Sequence, residues 1–236
     1  MEYGYVFENY DALRREIGEM SSRVGREVTL VCVTKSGSDA ELLSLAAAGM
    51  TDLGENRPQE LRRRGDLLRD AGYEPRLHEI GSLQRNKVKY IAEHVALIHS
   101  LDSLALAEEI ERQAVRFGRR IPVLIEVNSG REEAKGGILP EEVESFFLEV
   151  RKFEHLAVSG LMTMGPVSED AEAMRPYFRL TREIFEKIKK TYGFEGDGIL
   201  SMGMSDSYAV AIEEGATLVR VGRKLFYKGK GEEENV

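Results

Sequence analysis

The apolar run Val28-Thr-Leu-Val-Cys-Val-Thr34 ends on Lys35, and the turn Ser36-Gly37-Ser38 follows at once. A run so rich in β-branched residues reads as a buried strand. Lys35 therefore stands where a strand opens into a loop. Desolvation there would disfavour its charged form. A neutral lysine is a nucleophile, and neutral lysines form imines with aldehydes. The first chemical question this sequence raises is whether Lys35 holds an aldehyde.

A second group of residues lies towards the other end of the chain. Ser201, Gly203 and Ser205 precede an expected helix, and Gly222-Arg223 follows the short apolar run around Arg220. Backbone N–H groups and serine hydroxyls in such loops can cradle a phosphate. The alternative is that serine only caps the helix and Gly222 only turns the chain. Arg220 sits between Val219 and Val221, so it points opposite to both. If the valines pack outward, Arg220 is buried, stays charged and needs an acceptor. That acceptor is either a structural carboxylate or a ligand atom. Lys35 and these loops together suit a phosphorylated aldehyde: a sugar phosphate, as in an aldolase, or pyridoxal phosphate (PLP). An arginine at the pyridine nitrogen would disfavour its protonation and weaken the ring as an electron sink.

The elements that must position these residues alternate between strand and helix. Strand-like runs fall at 28–34, 51–53, 77–80, 96–99, 122–127, 156–163, 198–201 and 217–221. Ser38-Asp-Ala-Glu41 reads as a capping box for a helix that stops at Gly49. Ser103 or Asp102 caps a helix closed by Gly118, and Pro140 suits a first helical position. Ser168 is expected to open a long amphipathic helix to about Tyr192, and Ser205 to cap one ending near Gly215. An extra helix, roughly 7–22, precedes the first strand. Eight strand–helix units point to a single (β/α)8 TIM barrel over 1–227, with a frayed acidic tail over 228–236. An open doubly wound sheet is the alternative, weakened by the absence of a Gly-x-Gly-x-x-Gly motif after a strand. In a barrel the active face lies at the strands' C-terminal ends. Read in order, those ends give Lys35, Asn56, His78 and Gly81, Asn128, Met162-Thr163, Ser201 to Ser205, and Arg220 to Arg223.

Bulk properties narrow the classes. The 236 residues carry 33 basic and 41 acidic side chains, a net charge of −8, which argues against nucleic acid as partner. Hydrophobic residues make up 42 %, enough for a real core, and no stretch approaches membrane-spanning length. The lone Cys32 permits no internal disulfide and reads as an inert core thiol. With no signal peptide at the N-terminus, the expectation is a soluble cytoplasmic protein. His78, His94, His99 and His155 are scattered, so a metal site is not expected.

Six segments resemble one family. Val31-Cys-Val-Thr-Lys35, Asp52-Leu-Gly-Glu-Asn56, His78-Glu-Ile-Gly-Ser-Leu-Gln-Arg-Asn-Lys87, Gly160-Leu-Met-Thr163, Leu200-Ser-Met-Gly-Met-Ser-Asp206 and Val219-Arg-Val-Gly222 resemble, in order, the YggS/PROSC family of PLP homeostasis proteins. The resemblance implies a barrel of the alanine racemase N-terminal type. It implies PLP held as an imine on Lys35, and a carrier or regulator of PLP without catalytic turnover. It places Arg220 at the pyridine nitrogen, Ser201, Gly222 and the backbone of Arg223 at the phosphate, and Asn56 and Met162 along the ring. Gly203 and His78 complete the expected cofactor site. Arg223 departs from the pattern, standing where the family commonly has a small residue such as threonine. The implied partners are PLP and PLP-dependent apoenzymes as recipients, with the chain itself a monomer or weak dimer.

Two enzyme readings remain beside the carrier. A racemase needs bases on both faces of the imine; Lys35 would act alone or with a tyrosine such as Tyr208. Alanine racemases take the second base from a further domain, for which this sequence is expected to leave no length. The other is a class I aldolase acting on a sugar phosphate. Residues 132–137 read as a loop at the barrel mouth able to act as a gate, and Gln84 to Lys89 as a solvated basic helix face.

Overall fold

The protein is described by a computed structural model covering residues 3–166, 168 and 170–228. Eight parallel strands close into a barrel in chain order: β1 (Thr29–Val33), β2 (Asp52–Glu55), β3 (Arg76–Glu79), β4 (Val95–Leu101), β5 (Ile121–Glu126), β6 (Leu156–Met162), β7 (Ile199–Ser201) and β8 (Leu218–Val221). β1 closes on β8 with Val31 opposite Arg220 and Cys32 opposite Val221. The helices α1 (Gly4–Val24), α2 (Asp39–Ala47), α3 (Pro58–Asp70), α4 (Leu104–Arg116), α5 (Val143–Val150), α6 (Arg175–Thr191) and α7 (Tyr208–Glu213) surround it, with a 3-10 helix at Arg85–Tyr90 between β3 and β4. This is the expected (β/α)8 barrel with an extra N-terminal helix. Among the described residues no helix is long and apolar enough to cross a membrane.

Strand alternation decides what reaches the barrel's interior. Val219 and Val221 pack into the large outer core against the helices, while Leu218 joins Val31, Leu97, Leu124 and Met162 inside. Arg220, two residues from Leu218, therefore turns inward, and it is buried. Gly160 lets β6 and β7 approach: a Cβ there, at φ +152, would lie 1.9 Å from the carbonyl oxygen of Ile199. α1 seals the seam where the chain's ends meet. Its Tyr10 hydroxyl donates to the Gly49 carbonyl, and the Asn9 amide donates to the carbonyls of Leu225 and Tyr227.

Ser38 and Glu41 form the expected capping box, and Ser103 caps α4. Three helix starts differ from expectation. Ile138 bridges to Val127, and the Glu142 N–H then donates to the Leu139 carbonyl. Pro140 is thus spent in a turn, and α5 begins at Val143. Ser168 makes only a local turn, its hydroxyl accepting from the Asp170 N–H. The long helix starts at Arg175, after a 3-10 turn, where Pro176 suits the first helical turn. Ser205 does not cap α7, because its hydroxyl accepts instead from the Gly222 N–H. The expected tail beyond Lys228 lies outside the described residues.

Candidate functional site

At the C-terminal ends of the strands a cavity of about 640 Å³ opens, with Lys35, Asn56, Lys135, Ser205, Arg220 and Gly222 in its wall. Arg223 also lines it, and Met164, Met174 and Met204 supply an apolar side.

Lys35 follows β1 in a tight turn, the Gly37 N–H donating to the Thr34 carbonyl. The side chain is exposed to the cavity mouth. This exposure runs against the expectation of desolvation at the mouth of a buried strand. Two apolar-strand residues before it, Val33 lines the cavity, so the amine is carried on a rigid base. The turn itself is clamped by Arg64 of α3. The Arg64 guanidinium donates from Nη1 to the Thr34 carbonyl (2.6 Å) and from Nη2 to the Gly37 carbonyl (2.7 Å). It also pairs at 3.2 Å with Glu55, which accepts from the Thr34 hydroxyl. Both charged side chains are buried. This clamp was not foreseen, although a signal existed: Leu61, Arg64, Gly65 and Leu68 share one helical face, placing an arginine on an apolar stripe.

Arg220, on the neighbouring strand β8, lines the same cavity. It donates from Nη1 to the Ser201 hydroxyl and from Nη2 to the Thr163 carbonyl (3.1 Å). No carboxylate of the described residues comes within 4.0 Å of it, so the structural ion pair considered from sequence is not formed. Burial lowers its pKa to about 10, against the pull of Glu126, and the guanidinium remains a cation at neutral pH.

The loops after β7 and β8 meet through Ser205 and Gly222. Gly222 passes so close to β1 that a Cβ would lie 2.9 Å from the Val33 carbonyl oxygen. Gly203, at φ +91, has no room for a side chain either: a Cβ would sit 2.5 Å from that of Ala211. It shapes the turn without lining the cavity. Arg223 is exposed and ion-paired with Asp206, so its charge is already answered at the rim.

Three more expected site residues fall elsewhere or have other commitments. Met162 is buried in the interior apolar cluster. Ser201 is fully buried, and its hydroxyl serves Arg220 and His99 (3.0 Å); the serines lining the cavity are Ser36, Ser168, Ser205 and Ser207. His78 is buried below the cavity, held between Asp52 (2.8 Å) and His99 (3.0 Å). Asn56 lines the cavity. The four histidines are not all scattered as expected, because β3 and β4 bring two together. No cluster of three or more His, Cys, Asp or Glu side chains suited to a metal occurs among the described residues. Tyr208 is buried in the outer core, its hydroxyl accepting from the Lys224 ammonium (2.7 Å), and does not line the cavity. Cys32 is buried, and burial pushes its thiol well up, as befits an inert core residue.

The alanine racemase, N-terminal domain family model matches residues 9–228. A pyridoxal phosphate homeostasis protein of Aquifex aeolicus is 46 % identical over 182 residues, covering 77 % of this chain and 78 % of that one. Another, from Helicobacter pylori, is 34 % identical over 223 residues, covering 93 % and 97 %. The solved structure of PipY from Synechococcus elongatus with PLP bound is similar at a TM-score of 0.82, with 29 % identity over 94 % of this chain and all of that one. A Clostridium difficile alanine racemase shares the fold, at a TM-score of 0.71 and 18 % identity; 94 % of this chain matches 57 % of that one. An inward arginine, a lysine at the mouth of β1 and these matches give one answer: the chain belongs to the alanine racemase N-terminal domain family and, within it, to the pyridoxal phosphate homeostasis proteins.

Proposed function

We propose that this protein binds PLP covalently through Lys35 and serves intracellular PLP homeostasis as a carrier, without turnover of its own. The observation that carries the proposal is the presence, in the wall of one cavity, of an exposed primary amine and a buried guanidinium that forms no ion pair with a carboxylate of the described residues. PLP supplies an aldehyde for an amine, a phosphate for donors and a pyridine nitrogen for a hydrogen bond.

The residues fit such a group. Lys35, on its clamped turn, offers the amine for a Schiff base. Gly222, whose Cβ position is filled by β1, lets backbone approach the ligand, and the Ser205 and Ser207 hydroxyls stand beside it. Asn56 flanks the space between. Arg220 presents a cation to the ring nitrogen, which keeps that nitrogen unprotonated and the ring a poor electron sink. This supports holding rather than transforming a substrate. The name borne by the relatives points the same way, and PLP-dependent apoenzymes are the recipients that role implies.

The test is the visible spectrum of purified protein before and after borohydride, followed by mass mapping. The expected result is loss of the imine band with the pyridoxyl label on Lys35. A label on another side chain, or none, would overturn the assignment. A second reading, a racemase-like catalyst, rests on Lys135, a second amine in the cavity wall. Its ammonium donates to Glu132 (2.7 Å) and to the Gly165 carbonyl (3.0 Å). Incubation with single-enantiomer amino acids separates the two: turnover faster than with free PLP would replace the carrier by an enzyme.

A further inference from the structure

Behind Arg220 a string of polar side chains crosses the barrel. Ser201 Oγ lies 3.0 Å from His99 Nδ1, His99 Nε2 lies 3.0 Å from His78 Nδ1, and His78 Nε2 lies 2.8 Å from Asp52 Oδ1. Asp52 Oδ2 accepts from Arg76 Nη2 (2.8 Å) and from the Thr51 hydroxyl (2.8 Å). Asp52, His78, His99 and Ser201 are all buried, and none lines the cavity. An apolar cluster of Val31, Leu97, Leu124, Met162 and Leu218 shares the interior with the string. An apolar filling was therefore available at these positions too, and a polar string in its place calls for a purpose.

Donor and acceptor accounting fixes the direction of the string. Burial alone would raise the Asp52 carboxyl, but hydrogen bonds from His78, Arg76 and Thr51 outweigh it and hold the group below the usual carboxylate range. A carboxylate only accepts, so His78 Nε2 carries a proton. Burial, then the neighbouring His78 and the Arg220 charge, hold His99 well below the usual imidazole range, so it is neutral. Where His78 Nδ1 is bare, it accepts from His99 Nε2–H. His99 Nδ1 is then bare and accepts the Ser201 proton. Ser201 Oγ is left with its lone pairs for Arg220, which can only donate. This polarity satisfies every member, and it ends with a hydroxyl oriented to receive the guanidinium.

From this we infer that Asp52, His78 and His99 are positioning residues that set the hydroxyl orientation of Ser201 and thereby anchor Arg220 where it faces the ligand. The inference rests on the PLP reading for its ligand but not for its polarity, which belongs to the protein alone. A carboxylate fixing an imidazole tautomer at a distance from the chemistry is an established device; here it acts through two imidazoles and a hydroxyl.

The test is nitrogen-15 NMR of histidine-labelled protein free of PLP, together with PLP titration of wild type, Asp52→Asn and Ser201→Ala. In wild type both His78 and His99 are expected as neutral Nε2–H tautomers; a cation or an Nδ1–H tautomer at neutral pH at either site overturns the relay. In Asp52→Asn the amide carbonyl keeps its two donors, Arg76 and Thr51, and turns an N–H towards His78. Both imidazoles then reverse, and His99 Nδ1–H competes with Arg220 for Ser201. PLP dissociation is expected to rise about fivefold, the worth of one net hydrogen bond, with a changed visible spectrum. Ser201→Ala, which removes the acceptor outright, is expected to match it and decides the case should Asp52→Asn fail to fold. Unchanged affinity and spectrum in a folded variant would overturn the positioning role. Failure of wild type to take up PLP would sink the PLP reading instead, and the nitrogen-15 spectrum would still decide the polarity.

Discussion

Arg64→Met is the perturbation that most directly tests how the barrel presents Lys35. The substitution keeps most of the side chain's length but removes a buried cation. Three contacts go with it: the 3.2 Å pair with Glu55 and the charge-assisted bonds to the carbonyls of Thr34 and Gly37. Removing one member of a buried ion pair costs about 3–5 kcal/mol, chiefly because the other charge is stranded. Glu55 is that stranded group. Burial already raises its pKa, with the Thr34 hydroxyl and Arg64 pulling the other way. Without Arg64 it moves further up. An acid whose pKa is raised in the folded state binds more protons folded than unfolded, so stability falls as pH climbs from the unfolded value towards the folded one. The cost of Arg64→Met should accordingly be larger at pH 8 than at pH 5. Adding Glu55→Gln should restore most of the stability at pH 8 but not the anchoring of the turn. Urea denaturation at the two pH values measures the first effect, and hydrogen exchange over residues 34–38 the second. A loss below about 1 kcal/mol at both pH values, or unchanged exchange in the turn, would refute the clamp.

Two further outcomes follow from the site and its surroundings. Arg220→Ala should keep the fold and weaken PLP retention by roughly tenfold or more, the scale of a charge-assisted hydrogen bond; equilibrium dialysis with an unchanged affinity would remove Arg220 from the ligand. Burial pushes Glu79 up to about 8 and Glu126 up to about 7, so both are protonated in the fold where the unfolded chain has lost the proton. Urea midpoints should therefore decline as pH rises from about 4.3, the unfolded glutamate value, towards those folded values, and Glu126→Gln should flatten part of the slope. A level wild-type profile would contradict it.

Much of the barrel was legible because its signals are local. All eight expected strands exist, with ends shifted by a few residues, since a β-branched run bounded by turn residues marks a strand without knowledge of its neighbours. Helix starts were harder. Ser205 and Pro140 carry the right residue type for a helix end, yet tertiary hydrogen bonds claim the first and a bridge at Ile138 displaces the second. For the site, Lys35, Arg220 and Gly222 could be placed from strand ends and alternation, because both follow from backbone period alone. Met162 and Ser201 sit at strand ends as well, but strand tilt decides how far each reaches towards the cavity, and that is not written in spacing. Lys35 was expected to be desolvated at the mouth of its strand and is exposed, since a strand's apolar run says nothing about the loop beyond it.

The sequence by itself determined that strands and helices alternate, that an amine follows the first strand and that Arg220 on the last points opposite to its two flanking valines. Each is a matter of residue type and backbone period. Only the tertiary structure decided that Arg64 clamps the turn of Lys35, that Arg220 has no carboxylate partner among the described residues, and that Asp52, His78, His99 and Ser201 join into one string. Those contacts link residues 19 to 102 positions apart. Barrel closure alone brings them within hydrogen-bond reach, and no local pattern encodes a distance across the barrel.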